Sequence, residues 1–401
     1  MSMEEWKEYR LGDYMDVKGG KRLPKGANLI TSPNKHPYVR VRDLGSNKFI
    51  ELNTSFEYVD DETQKSISRY VVNEKDIVIS IVGTIGLVGI IGASLDNANL
   101  TENCVKLVNI RNFDRGFLYY YLKSSLGKQE IEKGVVGAVQ AKLPIKNIQS
   151  IIINAPSLST QQKIANILSS LDNKIEVNRR INDNLEQQAQ ALFDRLFFED
   201  LQKERKELAN YAEVNPTRTI TRNKEARCIE MANLPSKGSF PNDWMFKSYS
   251  GGMKFQNGDT IMARITPCLE NGKTAYINFL DSNEIAFGST EYIVLSAKEG
   301  FCPALFYFLA RNKEFVDYAV SHMNGSSGRQ RVGGVDIANF PMPHISLEDS
   351  AKFAEIAMPI MDVIKNNSLE NRNLATLRDT LLPKLMSGEL SVDDVSTDFV
   401  C

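Results

Sequence analysis

Histidine is nearly missing from this chain, with three residues in 401, and none of His36, His322 and His344 stands near a carboxylate or cysteine at metal-ligand spacing. The usual routes to zinc binding and to imidazole acid–base chemistry are therefore closed. Cysteine occurs five times, as Cys104, Cys228, Cys268, Cys302 and Cys401, without CxxC or CxH spacing. Such usage reads as reduced thiols in a cytosolic protein rather than as a disulfide framework. No Walker-type GxxxxGK[ST] is present, and the glycines at 83, 86, 89 and 92 recur every third residue instead of forming a GxGxxG. Neither a nucleotide loop nor a dinucleotide loop is supported. Asn215-Pro216-Thr217-Arg218 approaches the Asn-Pro-Pro-aromatic motif of amino-methyltransferases but lacks the second proline and the aromatic, so it reads as a turn. A PD-(D/E)xK-like cluster is also lacking. No catalytic residue, metal or cofactor is expected.

Net charge is almost absent too: 48 basic residues face 50 acidic ones. Binding to nucleic acid must then rest on local patches rather than on the total. The start, Met1-Ser2-Met3-Glu4-Glu5, has neither the basic nor the apolar part of a leader. One uncharged stretch, 77–95, is long enough to span a bilayer. It is rich in Val and Ile, is cut by glycines, and corresponds to 260–280, which holds Arg264, Glu270 and Lys273. Buried strands joined by glycine turns account for both copies, and no membrane contact is expected.

What the chain does have is a duplication. Residues 148–196 reappear without a gap at 337–385, an offset of 189. Lys163, Ala165, Ile167, Ile175, Asn178, Leu185, Leu192 and Leu196 return as Lys352, Ala354, Ile356, Ile364, Asn367, Leu374, Leu381 and Leu385. A repeat this large is one folded unit used twice rather than a solenoid motif. The likeness continues weakly upstream: Thr101-Glu102 matches Thr290-Glu291, Asp76 matches Asp259, and 11–17 matches 208–214.

The duplicated part reads as a long helix. A Ser-x-x-Gln capping box, Ser159-Thr160-Gln161-Gln162, opens the first copy, and Ser346-Leu347-Glu348-Asp349 opens the second. One seam then runs Ile164, Leu171, Asn178, Leu185, Leu192 and the other Leu168, Ile175, Asn182, Ala189, Leu196. In the second copy they run Phe353, Ile360, Asn367, Leu374, Leu381 and Ala357, Ile364, Asn371, Arg378, Leu385. Asn178, Asn182, Asn367 and Asn371 share the same mid-helix layers and are candidate register residues, since a slipped pairing would bury an amide against hydrocarbon. Two such helices paired antiparallel would make a spacer of roughly 60 Å, longer than one turn of duplex DNA at about 34 Å. Amphipathic helices packed each on its own domain are the plainer alternative. Pro359 and Pro383 are expected to kink the second helix, with Pro359 restricting regular helix to the part beyond it.

Upstream of each helix lie short β-type runs, 38–41, 76–82 and 104–110 in the first unit and 260–265, 275–279 and 292–295 in the second, with apolar helices at 117–123 and 304–311. The expected class is α+β: two mixed α/β domains and two long antiparallel coiled-coil helices in a pseudo-two-fold tandem repeat. Boundaries fall at 1–156 and 201–344 for the two domains, 157–200 and 345–391 for the helices, and 392–401 for a tail. Local charge points to anions: 17–42 holds Lys18, Lys21, Arg22, Lys25, Lys35, Arg40 and Arg42 with no acid, and 215–227 holds Arg218, Arg222, Lys224 and Arg227 against Glu225. Arg264 and the loop 324–331, with Arg329, Gln330 and Arg331, stand opposite 134–142, with Gln140 and Lys142. Phosphates need Lys, Arg and open backbone amides; base edges need Arg, Asn, Gln or Thr aimed into a groove. The candidate DNA-binding set is therefore Lys18, Lys21, Arg22, Lys25, Arg40, Arg42, Gln140, Lys142, Arg218, Arg222, Arg264, Arg329, Gln330 and Arg331. For any one of these, a solvated basic loop is an equally good reading; the duplication favours the ensemble.

Together, the tandem, the helix start at Ser159 to Ala165, the ending Leu381-Leu382-Pro383-Lys384-Leu385-Met386-Ser387-Gly388-Glu389-Leu390, the phrase Gly258-Asp259-Thr260-Ile261-Met262-Ala263-Arg264-Ile265 and the turn Cys268-Leu269-Glu270-Asn271-Gly272-Lys273 resemble the specificity subunit of Type I restriction-modification systems. The resemblance implies a protein that is not itself an enzyme: two target recognition domains each read half of a bipartite, asymmetric site in double-stranded DNA, and the repeated helices form the spacer. It also implies partners, two methyltransferase subunits docked on those helices and restriction (translocase-nuclease) subunits that cut unmodified DNA. The second helix start departs from the first, with Ala351 in place of Gln162. The rival readings are a stand-alone DNA methyltransferase or nuclease with a recognition domain, and a coiled-coil scaffold that binds only protein.

Overall fold

The computed structural model describes residues 6–45, 47–137, 139–200, 202–326 and 328–395. Ala138 and Ser327 in the two candidate loops, Leu201 at the expected domain boundary, and the tail beyond 395 with Cys401 lie outside them, as do residues 1–5 and Ser46. The chain divides into two compact units, Met1–Lys174 with Asn373–Cys401, and Ile175–Arg372, so each division falls midway along a long helix.

In the first unit a five-stranded sheet runs in the order Asp16–Gly19, Cys104–Val108, Ile77–Ser80, Val88–Ile91, Phe49–Ile50. Its neighbours are antiparallel except for the last pair. The uncharged run of the sequence is thus two strands with Gly83 and Gly86 at positive φ in the turn between them. Strand periodicity explains why that run carries no polar face: Ile77 and Ile79 enter one core with the helix Arg115–Lys123, while Val78 enters a second core with Ile91 and Leu100. Among the described residues, no helix is long and apolar enough to cross a membrane.

The second unit repeats this logic. Its first sheet runs Ala212–Val214, Tyr292–Ala297, Thr260–Ala263, Thr274–Tyr276, and its second runs Met245–Ser248, Glu225–Ile229, Ala286–Gly288, Lys254–Phe255. Met262, Ile293 and Leu295 enter the core that contains the helix Ala304–Arg311, and Ile261, Ala263 and Val294 enter the other. The parallel pair Tyr38–Val39 with Asn99–Leu100 in the first unit has its image in Glu225–Ile229 with Ala286–Gly288.

The long helices span Leu158–Phe197 and Leu347–Ser387. Pro359 and Pro383 interrupt neither assignment: the second helix is continuous through both, against the expectation that regular helix begins after Pro359. The first helix is capped one turn's fraction earlier than expected. Ser157, not Ser159, accepts the Thr160 amide at 3.3 Å, as its repeat partner Ser346 accepts that of Asp349 at 3.0 Å.

The helices pair antiparallel. Asn178 Nδ2 donates to Asn371 Oδ1 at 3.0 Å and to Glu370 at 2.6 Å, and Asn367 Nδ2 donates to Asn182 Oδ1 at 2.8 Å. Given the offset of 189, each of these two Asn pairs is the repeat image of the other. In the first unit Arg378 Nη1 donates to Asp172 Oδ1 at 2.7 Å, and the Tyr120 hydroxyl donates to the other carboxylate oxygen at 2.6 Å. The corresponding layer of the second unit is apolar, Ala189 with Met361, both buried. The seam does not run straight to its end: Leu196 is exposed, while Phe193 and Phe197 are fully buried against Phe308 and Phe353. A true α-helix drifts by about 20° per heptad, which carries the heptad position off the contact.

Candidate nucleic-acid interface

In both units a short hairpin is laid across the end of the central strand. In the first, Val136 and Lys142 exchange backbone hydrogen bonds of 2.9 Å each way, Leu143 N donates to Ile81 O, and Ile81 N donates to Asn103 O. In the second, Asn324 and Arg331 make the exchange, Val332 N donates to Arg264 O, and Arg264 N donates to Glu291 O. The geometry makes Lys142 the counterpart of Arg331, Gln140 that of Arg329, and Ile81 that of Arg264. Gly137 and Gly325 take positive φ directly after the paired Val136 and Asn324, where a side chain would be strained. Gln140, Lys142 and Arg329 are exposed, as is Val139 at 98 %; Gln330 is half-buried and its carbonyl accepts from Thr266 N. Arg264 lies at the foot of the hairpin, its Nε buried and without a hydrogen-bond partner among the described residues.

A second basic element, the loop that follows Asp16–Gly19, lies in the first unit only as an open surface. Gly20 N bonds to Cys104 O and Lys21 N to Leu100 O. A β-carbon on Gly20 would fall 2.0 Å from the Thr101 carbonyl oxygen, so this close approach demands glycine. Lys18 and Lys25 are exposed, Lys21 Nζ lies 5.5 Å from the Tyr70 ring centre, and Arg22, 81 % exposed, donates to Glu102 at 2.8 Å. Arg40 is turned inward onto Asp43 and Glu57, and Arg42 reaches Glu57 at 3.4 Å from a more exposed position.

The matching loop of the second unit is organised differently. Arg218 has a side chain only 8 % exposed and pairs with Asp259 at 2.7 Å, donating also to Ser296. Burial raises the Asp259 carboxyl above its ordinary value, opposed by the Gln256 amide and by Arg218. Arg222 is exposed. In the first unit the corresponding acid, Asp76, takes its cation from a strand, Lys106 at 3.1 Å, which leaves Lys21 at the surface.

Sequence reading passed over Glu102 and Glu291 as site residues, although both lie in the Thr-Glu pairs it matched; the strand register shifts that match by one residue and sets Asn103 opposite Glu291. Glu291 receives Arg331 Nε at 2.9 Å and Nη2 at 2.7 Å, while Arg331 Nη1 donates to the Arg329 carbonyl at 3.0 Å. The Arg331 hydrogen bonds hold the Glu291 carboxyl below the usual range, against the effect of burial. Burial works to raise Glu102, but hydrogen bonds from Arg22, its own backbone amide and Thr101 bring it lower.

Comparison with known proteins gives one consistent result. Residues 3–187 match the family model of the Type I restriction modification DNA specificity domain. The chain is 24 % identical to the MjaIX Type I restriction enzyme specificity subunit of Methanocaldococcus jannaschii, over 98 % of this chain and 95 % of that protein. It is 28 % identical to the HindI specificity subunit of Haemophilus influenzae, over 49 % of this chain and 41 % of that one. Among solved structures, the S subunit of a Type I restriction-modification system from M. genitalium superposes with a TM-score of 0.62 at 18 % identity, covering 96 % of this chain and 97 % of that one, a likeness of fold.

Proposed function

We propose that this chain is a specificity subunit of a Type I restriction-modification system, as the family-model match over residues 3–187 and the full-length likeness to the MjaIX subunit support, and that each of its two units reads one half of a bipartite, asymmetric site in double-stranded DNA. The observation that carries the reading is the repeated hairpin platform, which sets Gln140 and Lys142 in one unit and Arg329 and Arg331 in the other on equivalent backbone. Lys18, Lys21, Arg22, Lys25, Arg42 and Arg222 grip phosphate; Gln140, Lys142, Arg264, Arg329 and Gln330 face base edges. Arg40 and Arg218 hold their loops in shape through buried acids. Residues 1–156 and 201–344 are the recognition domains, 157–200 and 345–391 the spacer helices, and the Asn178–Asn371 and Asn182–Asn367 pairs fix the register and thereby the gap between half-sites.

The chain itself catalyses nothing in this proposal. It works in the cytoplasm, needs no cofactor, and directs methyltransferase subunits, two of them docked on the spacer helices, and restriction subunits that join the same complex. The lack of adenosylmethionine, nucleotide and nuclease motifs supports this division of labour. Sequencing the methylated bases of the host genome is the test: one motif of two unlike halves with a fixed gap is expected, and it should vanish on deletion of this gene. A contiguous motif, or methylation of DNA by the purified chain alone, would overturn the reading.

A further inference from the structure

Resting on that reading, we infer that Glu102 and Glu291 are positioning residues for DNA recognition, and that they organise a different basic loop in each unit. The two acids lie one place apart in the repeat, since the strand register sets Glu102 opposite Thr290 and Asn103 opposite Glu291, and both stand at the entry to the strand beside the central one. Their partners come from unrelated segments. Glu102 holds Arg22 of the loop after the first sheet strand, the loop that also carries Lys21 and Lys25. Glu291 holds Arg331 of the hairpin, and Arg331 in turn clamps the Arg329 carbonyl, so the carboxylate fixes the backbone from which Arg329 projects.

A shift of one place along the strand thus changes which loop the acid holds. An anionic side chain beside a phosphate-binding surface opposes binding by simple Coulomb repulsion, so its occurrence beside both basic surfaces calls for an offsetting role. Holding an arginine in place supplies one, since a charge-assisted pair, bidentate for Arg331 and a single bond from Nε for Arg22, removes freedom that an unrestrained guanidinium would lose on binding. In the second unit the counterpart of the Lys21 loop is drawn inward through Arg218 and Asp259, which leaves the hairpin as the surface Glu291 can organise. The acid of the first unit therefore steadies the loop that grips phosphate, and the acid of the second steadies the hairpin that faces base edges.

The test uses the full chain assembled with its methyltransferase subunits. Duplexes carry the motif found methylated in the host, the same motif with one half scrambled, and both halves scrambled. For Glu291→Gln, cognate affinity should fall roughly tenfold to a hundredfold, the loss of about one well-placed base contact, whereas Glu102→Gln should weaken binding to every duplex alike and flatten the salt slope by about one unit at an unchanged melting temperature. For Glu291→Gln, affinity for the fully scrambled duplex should rise slightly with the removed charge, and discrimination should be lost at one half-site only. Glu→Asp variants, which keep the charge, should retain most of the discrimination. A parallel rise on all duplexes would make the acids bystanders, and a parallel fall with a lowered melting temperature would make them structural only; either overturns the inference. If the unmodified complex itself does not discriminate, the half-site reading fails and takes this inference with it.

Discussion

At the scale of single residues, the deciding question is which acid each cation has been given to. Asp76 and Asp259 are the same residue of the repeat, both near the end of a central strand, and a buried carboxylate there needs a counter-charge. Lys106 answers in one unit and Arg218 in the other. Composition and spacing cannot distinguish the two solutions, because Arg218 and Lys21 stand in matching basic loops. Truncating Arg218 to Ala should leave Asp259 buried without its partner and destabilise the fold by about 3–5 kcal/mol. Denaturant unfolding would read that loss, while Arg222→Ala, on the exposed part of the same loop, should leave unfolding unchanged and weaken DNA binding. The acids of the rim give a pH dependence of definite sign. Glu102 and Glu291 are held below their ordinary value of 4.5 in the folded chain. Their pairs contribute fully above that value, and the contribution is lost as pH falls through the lowered one. Half-site discrimination should therefore hold from neutral pH down to the ordinary carboxylate range and fail below it. Discrimination that already declines between pH 8 and pH 6 would point to some other group.

At the scale of elements, the sequence was most legible where hydrophobic period and length agreed. The strands at Ile77–Ser80, Cys104–Val108, Thr260–Ala263 and Tyr292–Ala297, and the helix Ala304–Arg311, lie where the apolar runs placed them. Ends were less legible. The Ser159 box was the stronger motif, yet Ser157 caps the helix, and the offset from Ser346 singles out Ser157. Leu196 satisfied the heptad but not the contact, because the period of the seam is that of the helix it meets. The helices Asp61–Ile67, Ser125–Gly134 and Lys313–Ser321 left too short a periodic signal to be read. Pro359 shows tertiary packing overriding local cost: the flanking Ala357 and Met361 are buried, and the helix runs through. Replacing Pro359 with Ala should raise the melting temperature, the intrinsic gain being up to about 3 kcal/mol. The seam asparagines act in the opposite sense. Asn178→Leu with Asn371→Leu should stabilise the helix pair while admitting slipped registers. A disulfide engineered at 182 and 367 would then form less completely than in the parent, whereas an unchanged yield would deny the pair any part in register.

For the molecule as a whole, a net charge of −2 sets how DNA is met. With so little total charge the long-range field gives weak steering, and attraction resides in the basic loops, acting within a Debye length of about 8 Å at physiological salt. Affinity should then depend on salt only through the phosphates those loops touch, with a slope of about −0.9 per contact. Truncating Lys21 or Lys25 should weaken binding to every duplex alike and flatten that slope by about one unit. Arg329→Ala should do the reverse: the slope stays near that of the parent, the cognate duplex loses roughly 1–3 kcal/mol, and the loss concentrates at one base pair of one half-site. Titrations at several salt concentrations, on cognate and scrambled DNA, separate the two kinds of residue. If Arg329 and Lys21 changed slope and specificity in the same proportion, grip and reading would not be divided between loops as proposed, and one undifferentiated basic surface would account for both.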